Sequence, residues 1–105
     1  MVDVSRAKEI VEKGEFLVCD ARKSEDFDAG HLPGAVSFPF GTHAETFHEL
    51  AALFSPEQPV MVYCSGLSCD DALLLAKFLQ AQGSTKVVLF AEGMSGWKEA
   101  GHPIE

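Results

Sequence analysis

Val60-Met61-Val62-Tyr63-Cys64-Ser65-Gly66-Leu67-Ser68-Cys69-Asp70-Asp71-Ala72 is the stretch from which the fold of this chain can be read. The four apolar residues from Val60 to Tyr63 show no polar alternation, which suits a short strand covered on both faces. A polar loop follows Cys64. From Asp70 to Gln82, Ala72, Leu75, Ala76 and Leu79 recur at helical spacing, and Gly83 supplies the stop. A cysteine placed where a buried strand gives way to a helix N-terminus faces unpaired backbone N–H groups, which stabilise an anion. The expectation is a site that makes and holds a thiolate.

The same alternation of strand and helix extends outward in both directions. Ser5 is the expected cap of a short amphipathic helix with Ala7, Ile10 and Val11 on its apolar side, ended by Gly14. Phe16-Leu17-Val18-Cys19 then forms a brief strand ending at Asp20. Ser24 precedes a single helical turn that stops at Gly30, and Ala35-Val36-Ser37-Phe38 is a short strand closed by Pro39. Phe47, Leu50, Ala51 and Phe54 place a helix over 44–54, ahead of Pro56 and Pro59. Val87-Val88-Leu89-Phe90 is another apolar strand, and residues 93–101 carry a last helix around Trp97. Short strands separated by helices predict an α/β fold with a mainly parallel sheet flanked by helices on both faces. Ligands in such sheets bind beyond the carboxyl ends of the strands, which is the position of Cys64. Residues 1–105 read as a single domain.

Composition narrows the function. A chain of 105 residues with 47% apolar composition closes one core without metals or disulfides as staples. Its formal net charge is -8, and its eight Lys and Arg are scattered from Arg6 to Lys98. Nucleic acid and anionic membrane need clustered cations, so neither is an expected partner. No apolar run approaches the ~20 residues of a membrane span, and Met1-Val2-Asp3 lacks the features of a signal peptide. The three cysteines, in a chain that needs no disulfide, point to free thiols and a cytoplasmic setting.

Three blocks resemble the rhodanese-like domain family. Asp20-Ala21-Arg22, Phe27 and Gly30-His31-Leu32-Pro33-Gly34-Ala35 look like its first signature. Val62-Tyr63-Cys64 looks like its active-site strand and cysteine, and Gly93-Met94-Ser95-Gly96-Trp97 with Gly101-His102-Pro103 looks like its C-terminal signature. The resemblance implies a five-stranded parallel sheet flanked by helices and a sulfurtransferase activity. Cys64 would accept a sulfane sulfur as a persulfide and pass it to a nucleophile. The donor would be a small molecule such as a persulfide, polysulfide or thiosulfate, and the acceptor a thiol or another protein. No cofactor or metal is required.

The chemistry follows from the residues as well. A Cys64 thiolate attacks the outer sulfur of a donor, and an acceptor then attacks the resulting persulfide. Ser65, Gly66, Leu67, Ser68, Cys69 and Asp70 form the loop that would bind the transferred sulfur through inward-pointing amides, with Gly66 allowing a tight path. The hydroxyls of Ser65 and Ser68 are candidate hydrogen-bond donors to it. The loop departs from the family pattern. Its glycine lies two positions after the cysteine rather than three, and no basic residue occurs between Cys64 and Lys77. Asp70 and Asp71 add carboxylates at the helix start, which raise a thiol's pKa and repel anions, so thiosulfate is expected to be a poor donor. The missing Arg also argues against the phosphatase and arsenate-reductase relatives, which grip a tetrahedral oxyanion with one.

Cys69 is the candidate resolving thiol, able to attack the Cys64 persulfide and release hydrosulfide. The alternative function is a binding or redox-sensing module without turnover, built on a Cys64/Cys69 pair. His31 reads as a structural histidine, Asp20 and Arg22 as a structural pair, and Cys19 as an inert core thiol. His43, His48 and His102 are expected on the surface. Phe38, Phe40, Phe47, Phe90 and Trp97 are expected in the core.

Overall fold

The computed structural model describes residues 1–105. In chain order the elements are α1 (Val4–Lys13), β1 (Leu17–Asp20), α2 (Ser24–Ala29), β2 (Val36–Ser37), α3 (His43–Leu50), a 3₁₀ turn (Ala51–Leu53), β3 (Val60–Tyr63), α4 (Asp71–Ala81), β4 (Val87–Phe90) and α5 (Gly93–Glu99). The strands pair in the order β2-β1-β3-β4, and every pairing is parallel.

Side-chain alternation on β3 divides the core in two. Val60, Val62 and Cys64 face α4 through Ala72, Leu75, Ala76 and Leu79, with Phe38 and Phe54 in the same cluster. Met61 and Tyr63 face the other way, onto Ala7 and Ile10 of α1 and Met94 and Trp97 of α5. Both faces of the strand are therefore dry, which is why its residues are apolar without alternation. Phe90 and Trp97 are core residues, and Phe40 and Phe47 pack against the α4-side cluster.

The sheet has four strands, where the family resemblance implies five. The Val2 N–H donates to the Leu89 carbonyl at 2.9 Å, beside the free edge of β4. Asp3 accepts the Arg6 N–H at 2.9 Å and caps α1. Asp3, not Ser5, is the cap of α1. The helix expected over 44–54 also tightens into the 3₁₀ turn after Leu50.

Under the sheet ends lies a polar brace. Asp20, fully buried, accepts from Arg22 Nη2 at 2.7 Å and Nε at 3.0 Å, and from the Tyr63 hydroxyl at 2.7 Å. Arg22 also donates to the Gly30 carbonyl at 2.6 Å, and Tyr63 accepts the Leu32 N–H at 3.1 Å. The pair thus fastens the first signature loop to β3. His31 is structural, as expected: it stacks on Phe27 with ring centroids 3.8 Å apart, and its backbone pairs with Glu105. His43 and His102 are half-buried rather than on the surface, because the first stacks on Phe40 and the second meets Trp97 edge-on. Only His48 is exposed.

Candidate active site

Cys64 is the first residue beyond β3, and the register puts it at the carboxyl end of the sheet. Its side chain is 2% exposed and forms the floor of an apolar pocket of about 240 Å³. Met1, Leu67, Ala72, Leu73, Leu89 and Ala91 make the walls, with Cys69 and Asp70 beside the thiol. No Lys, Arg or His side chain is among them.

The loop is anchored by the start of α5. Its only internal backbone bond runs from the Cys69 N–H to the Gly66 carbonyl. At its base, the start of α5 clasps the chain: Met94 N–H donates to the Cys64 carbonyl and Ser95 N–H to the Ser65 carbonyl, each at 2.9 Å. Gly93 makes this approach possible. It adopts φ +56°, and a Cβ there would overlap the Cys64 carbonyl. Gly66 is likewise pressed against α5, where an added Cβ would stand 3.2 Å from Ser95 Oγ.

The amide donors of the loop and of the first turn of α4 converge on two sulfurs. The Gly66 and Ala72 amides favour the charged form of Cys64, whereas the Ser65 and Asp71 amides and the Ser65 hydroxyl favour that of Cys69. Asp70 occupies the cap position of α4 without a side-chain cap bond, so the Asp71 and Ala72 amides keep their orphan status and face the thiols. The Cys64 S–H reaches the Cys69 carbonyl at 3.4 Å. Ala72 and Asp71 were not anticipated as site residues. Their signal lay in the helix start itself, whose first amides have no intrahelical acceptor.

These contacts set the acidities. Burial, followed by the hydrogen bond and charge of Cys69, pushes the Cys64 thiol up to about 11, against the pull of the Ala72 and Gly66 amides. The expectation of a ready thiolate at Cys64 is corrected accordingly. Burial, rather than the Asp70 and Asp71 carboxylates, is the leading cause. Cys69 is also penalised by burial, but the Cys64 thiol, the Asp71 and Ser65 amides and the Ser65 hydroxyl outweigh it and leave Cys69 below the ordinary cysteine value. Cys19, buried in the sheet next to Asp20, is raised to about 12, as befits an inert thiol.

Ser65, Gly66, Leu67 and Ser68 also line a larger cleft of about 850 Å³ on the far side of Leu67, together with Glu92, Ser95 and Glu99. Ser68 is exposed there, facing this cleft, while Ser65 alone turns its hydroxyl toward a sulfur. Leu67, 78% exposed, separates the two cavities. No helix is long and apolar enough to cross a membrane. No group of three or more His, Cys, Asp or Glu is placed to hold a metal ion.

Comparison with known proteins agrees with this architecture. An HTH-type transcriptional regulator of Mycobacterium tuberculosis is 31% identical over 97 residues, covering 90% of this chain and 39% of that protein. The YibN protein of Escherichia coli is 29% identical, with 93% of this chain and 66% of the relative covered. The chain thus spans less than two thirds of these two relatives. It spans 84% of the thiosulfate sulfurtransferase GlpE of Coxiella burnetii, at 29% identity and 92% coverage of this chain. Among solved structures, a Bacillus halodurans protein superposes with a TM-score of 0.86 at 25% identity, covering 99% of this chain and 74% of its own. The family model described as Rhodanese-like domain matches residues 3–100, which takes in the braced signature loop, the cysteine after β3 and the α5 clasp together. On that match the chain belongs to the rhodanese-like domain family.

Proposed function

We propose that this chain is a sulfurtransferase or persulfide carrier that takes a sulfane sulfur onto Cys64 and passes it to a thiol or other nucleophile. The observation that carries the reading is the placement of Cys64 at the carboxyl end of β3, where the Gly66 and Ala72 amides favour its charged form. Two N–H donors with the positive end of α4 behind them suit a terminal persulfide, which carries its charge on the outer sulfur. Relatives named thiosulfate sulfurtransferase, and one from Bacillus subtilis named as a putative sulfur carrier protein, lend the reading support.

The pocket chemistry favours a thiol-derived donor over thiosulfate. A dianion entering walls of Met1, Leu67, Leu73 and Leu89 beside Asp70 loses hydration and meets no Lys or Arg side chain in return. A small alkyl persulfide buries its carbon chain against the same walls. Ser65, Gly66, Leu67, Ser68, Cys69 and Asp70 then act as the binding loop.

The test is single-turnover loading. Reduced protein is incubated with glutathione persulfide or with thiosulfate, desalted, and weighed intact. A gain of one sulfur atom from the persulfide, faster than from thiosulfate and absent in Cys64→Ser, is the expected result. A folded protein whose Cys64 reacts with alkylating agents but takes sulfur from neither donor would overturn the proposal and favour a module without turnover.

A further inference from the structure

The loop holds two thiols rather than one, and its amide donors are shared equally between them: Gly66 and Ala72 to Cys64, Ser65 and Asp71 to Cys69. Cys64 and Cys69 open onto the same apolar pocket, and the Cys64 S–H reaches the Cys69 carbonyl at 3.4 Å. Cys69 lies in the loop before α4, half-buried, whereas Cys64 is tied to α5 through its carbonyl.

The geometry points to a second activity at this site: Cys64 and Cys69 together reduce persulfide sulfur to hydrosulfide, closing a Cys64–Cys69 disulfide that a dithiol reductant reopens. This rests on the proposed loading of Cys64 and goes beyond it, since a carrier needs only one thiol.

The steps balance as follows. Cys64 Sγ attacks the outer sulfur of the donor R–S–SH, its proton passes to the departing sulfur, and the donor leaves as the thiol R–SH. Cys64 now carries S–SH. Cys69 gives its proton to water and attacks Cys64 Sγ; a sulfur–sulfur bond forms between the two cysteines while the bond to the outer sulfur breaks, and HS⁻ departs. Two electrons move from the cysteine pair to the transferred sulfur. The reductant, a dithiol, returns both cysteines to thiols and becomes a disulfide itself.

The acidity order fits this division of labour. The attacking thiol of the second step is the more acidic one, and the departing hydrosulfide leaves from the pocket where the Gly66 and Ala72 amides stabilise negative charge.

The experiment uses the whole chain, loaded with glutathione persulfide without added reductant, then desalted and followed by intact mass, peptide mapping and hydrosulfide assay. The expected result is that the parent protein releases one hydrosulfide per chain and loses two hydrogens. The persulfide formed on Cys69→Ser should persist at least tenfold longer, and Cys64→Ser should yield neither product. Parent persulfide as long-lived as that of Cys69→Ser overturns the two-thiol activity and leaves the carrier intact. Sulfur mapped to Cys69 overturns it in favour of a relay. Failure to load any protein removes both proposals. As an independent check, a mild thiol oxidant such as diamide should close the Cys64–Cys69 disulfide in folded parent protein; failure to do so refutes the geometry.

Discussion

Replacing Gly93 with alanine isolates the contact that fixes the reactive cysteine. At φ +56° a Cβ costs about 1–2 kcal/mol through left-handed strain alone. It would also overlap the Cys64 carbonyl, crowding Cys64 C at 2.9 Å and Gly66 N at 3.2 Å, all of them backbone atoms that cannot rotate away. Relief requires α5 to lift, which lengthens the 2.9 Å bonds from Met94 and Ser95 at about 1 kcal/mol each. The sum is about 3–4 kcal/mol, a large share of the ~5–15 kcal/mol that holds a domain together. At ~4–8 °C per kcal/mol this lowers Tm by about 15–30 °C. Gly101→Ala is the control: its φ is +79°, but a Cβ there meets nothing within 4 Å, so only the strain remains. Thermal melts followed by circular dichroism, with persulfide loading of Cys64 measured alongside, should separate the two variants by at least 8 °C. Equal melting temperatures would refute the clasp as a determinant of the site.

Three further outcomes are expected. Leu67→Arg puts a cation on an exposed position of the loop wall, where ~1–2 kcal/mol of attraction lowers the thiosulfate concentration for half-maximal loading about 10-fold, read by intact mass; an unchanged value refutes the charge explanation. Tyr63→Phe strips the Leu32 N–H and Asp20 of a partner in a dry site and should cost about 1–3 kcal/mol in urea unfolding with an unchanged m value; a cost under ~0.5 kcal/mol contradicts the brace. Above pH 9 an unfolded Cys19 loses its proton while the folded one keeps it up to about 12, so the native state binds more protons and stability falls as pH rises through that window. The slope for this group is ~1.4 kcal/mol per pH unit, and Cys19→Ala should remove it from urea midpoints measured between pH 9 and 11.

How much of this was legible beforehand depends on the range of the interactions. The change from a fully apolar run at Val60–Tyr63 to helical spacing at Ala72–Leu79 is local, and it correctly placed β3, α4 and the cysteine between them. The cap of α1 was not legible: Asp3 and Ser5 are both capping residues, and the choice follows from the bond that ties Val2 to β4, which no local pattern carries. The Gly93 block was visible as a motif, but its grip on the Cys64 carbonyl joins residues 29 apart in the chain and emerges only when β4 and α5 are packed. Asp70 and Asp71 drew attention by their charge. What matters at the site is the N–H of Asp71, a property of helix position rather than of side chain.

The absence of a cation in the loop and the presence of a second thiol are two sides of one arrangement. A loop arginine beside Cys64 would lower its pKa by favouring the charged form and would attract anionic donors. With burial dominant and no such charge, an isolated Cys64 would stay protonated near neutrality and react slowly. Cys69 is the second thiol of the pocket, shifted down where Cys64 is shifted up, and the Cys64 S–H reaches its carbonyl. On the proposed two-thiol activity, the backbone amides and the Ser65 hydroxyl that favour the charged forms of these sulfurs stand in for a guanidinium. Such a loop suits neutral, thiol-derived sulfur, and its reactivity would belong to the pair rather than to Cys64 alone.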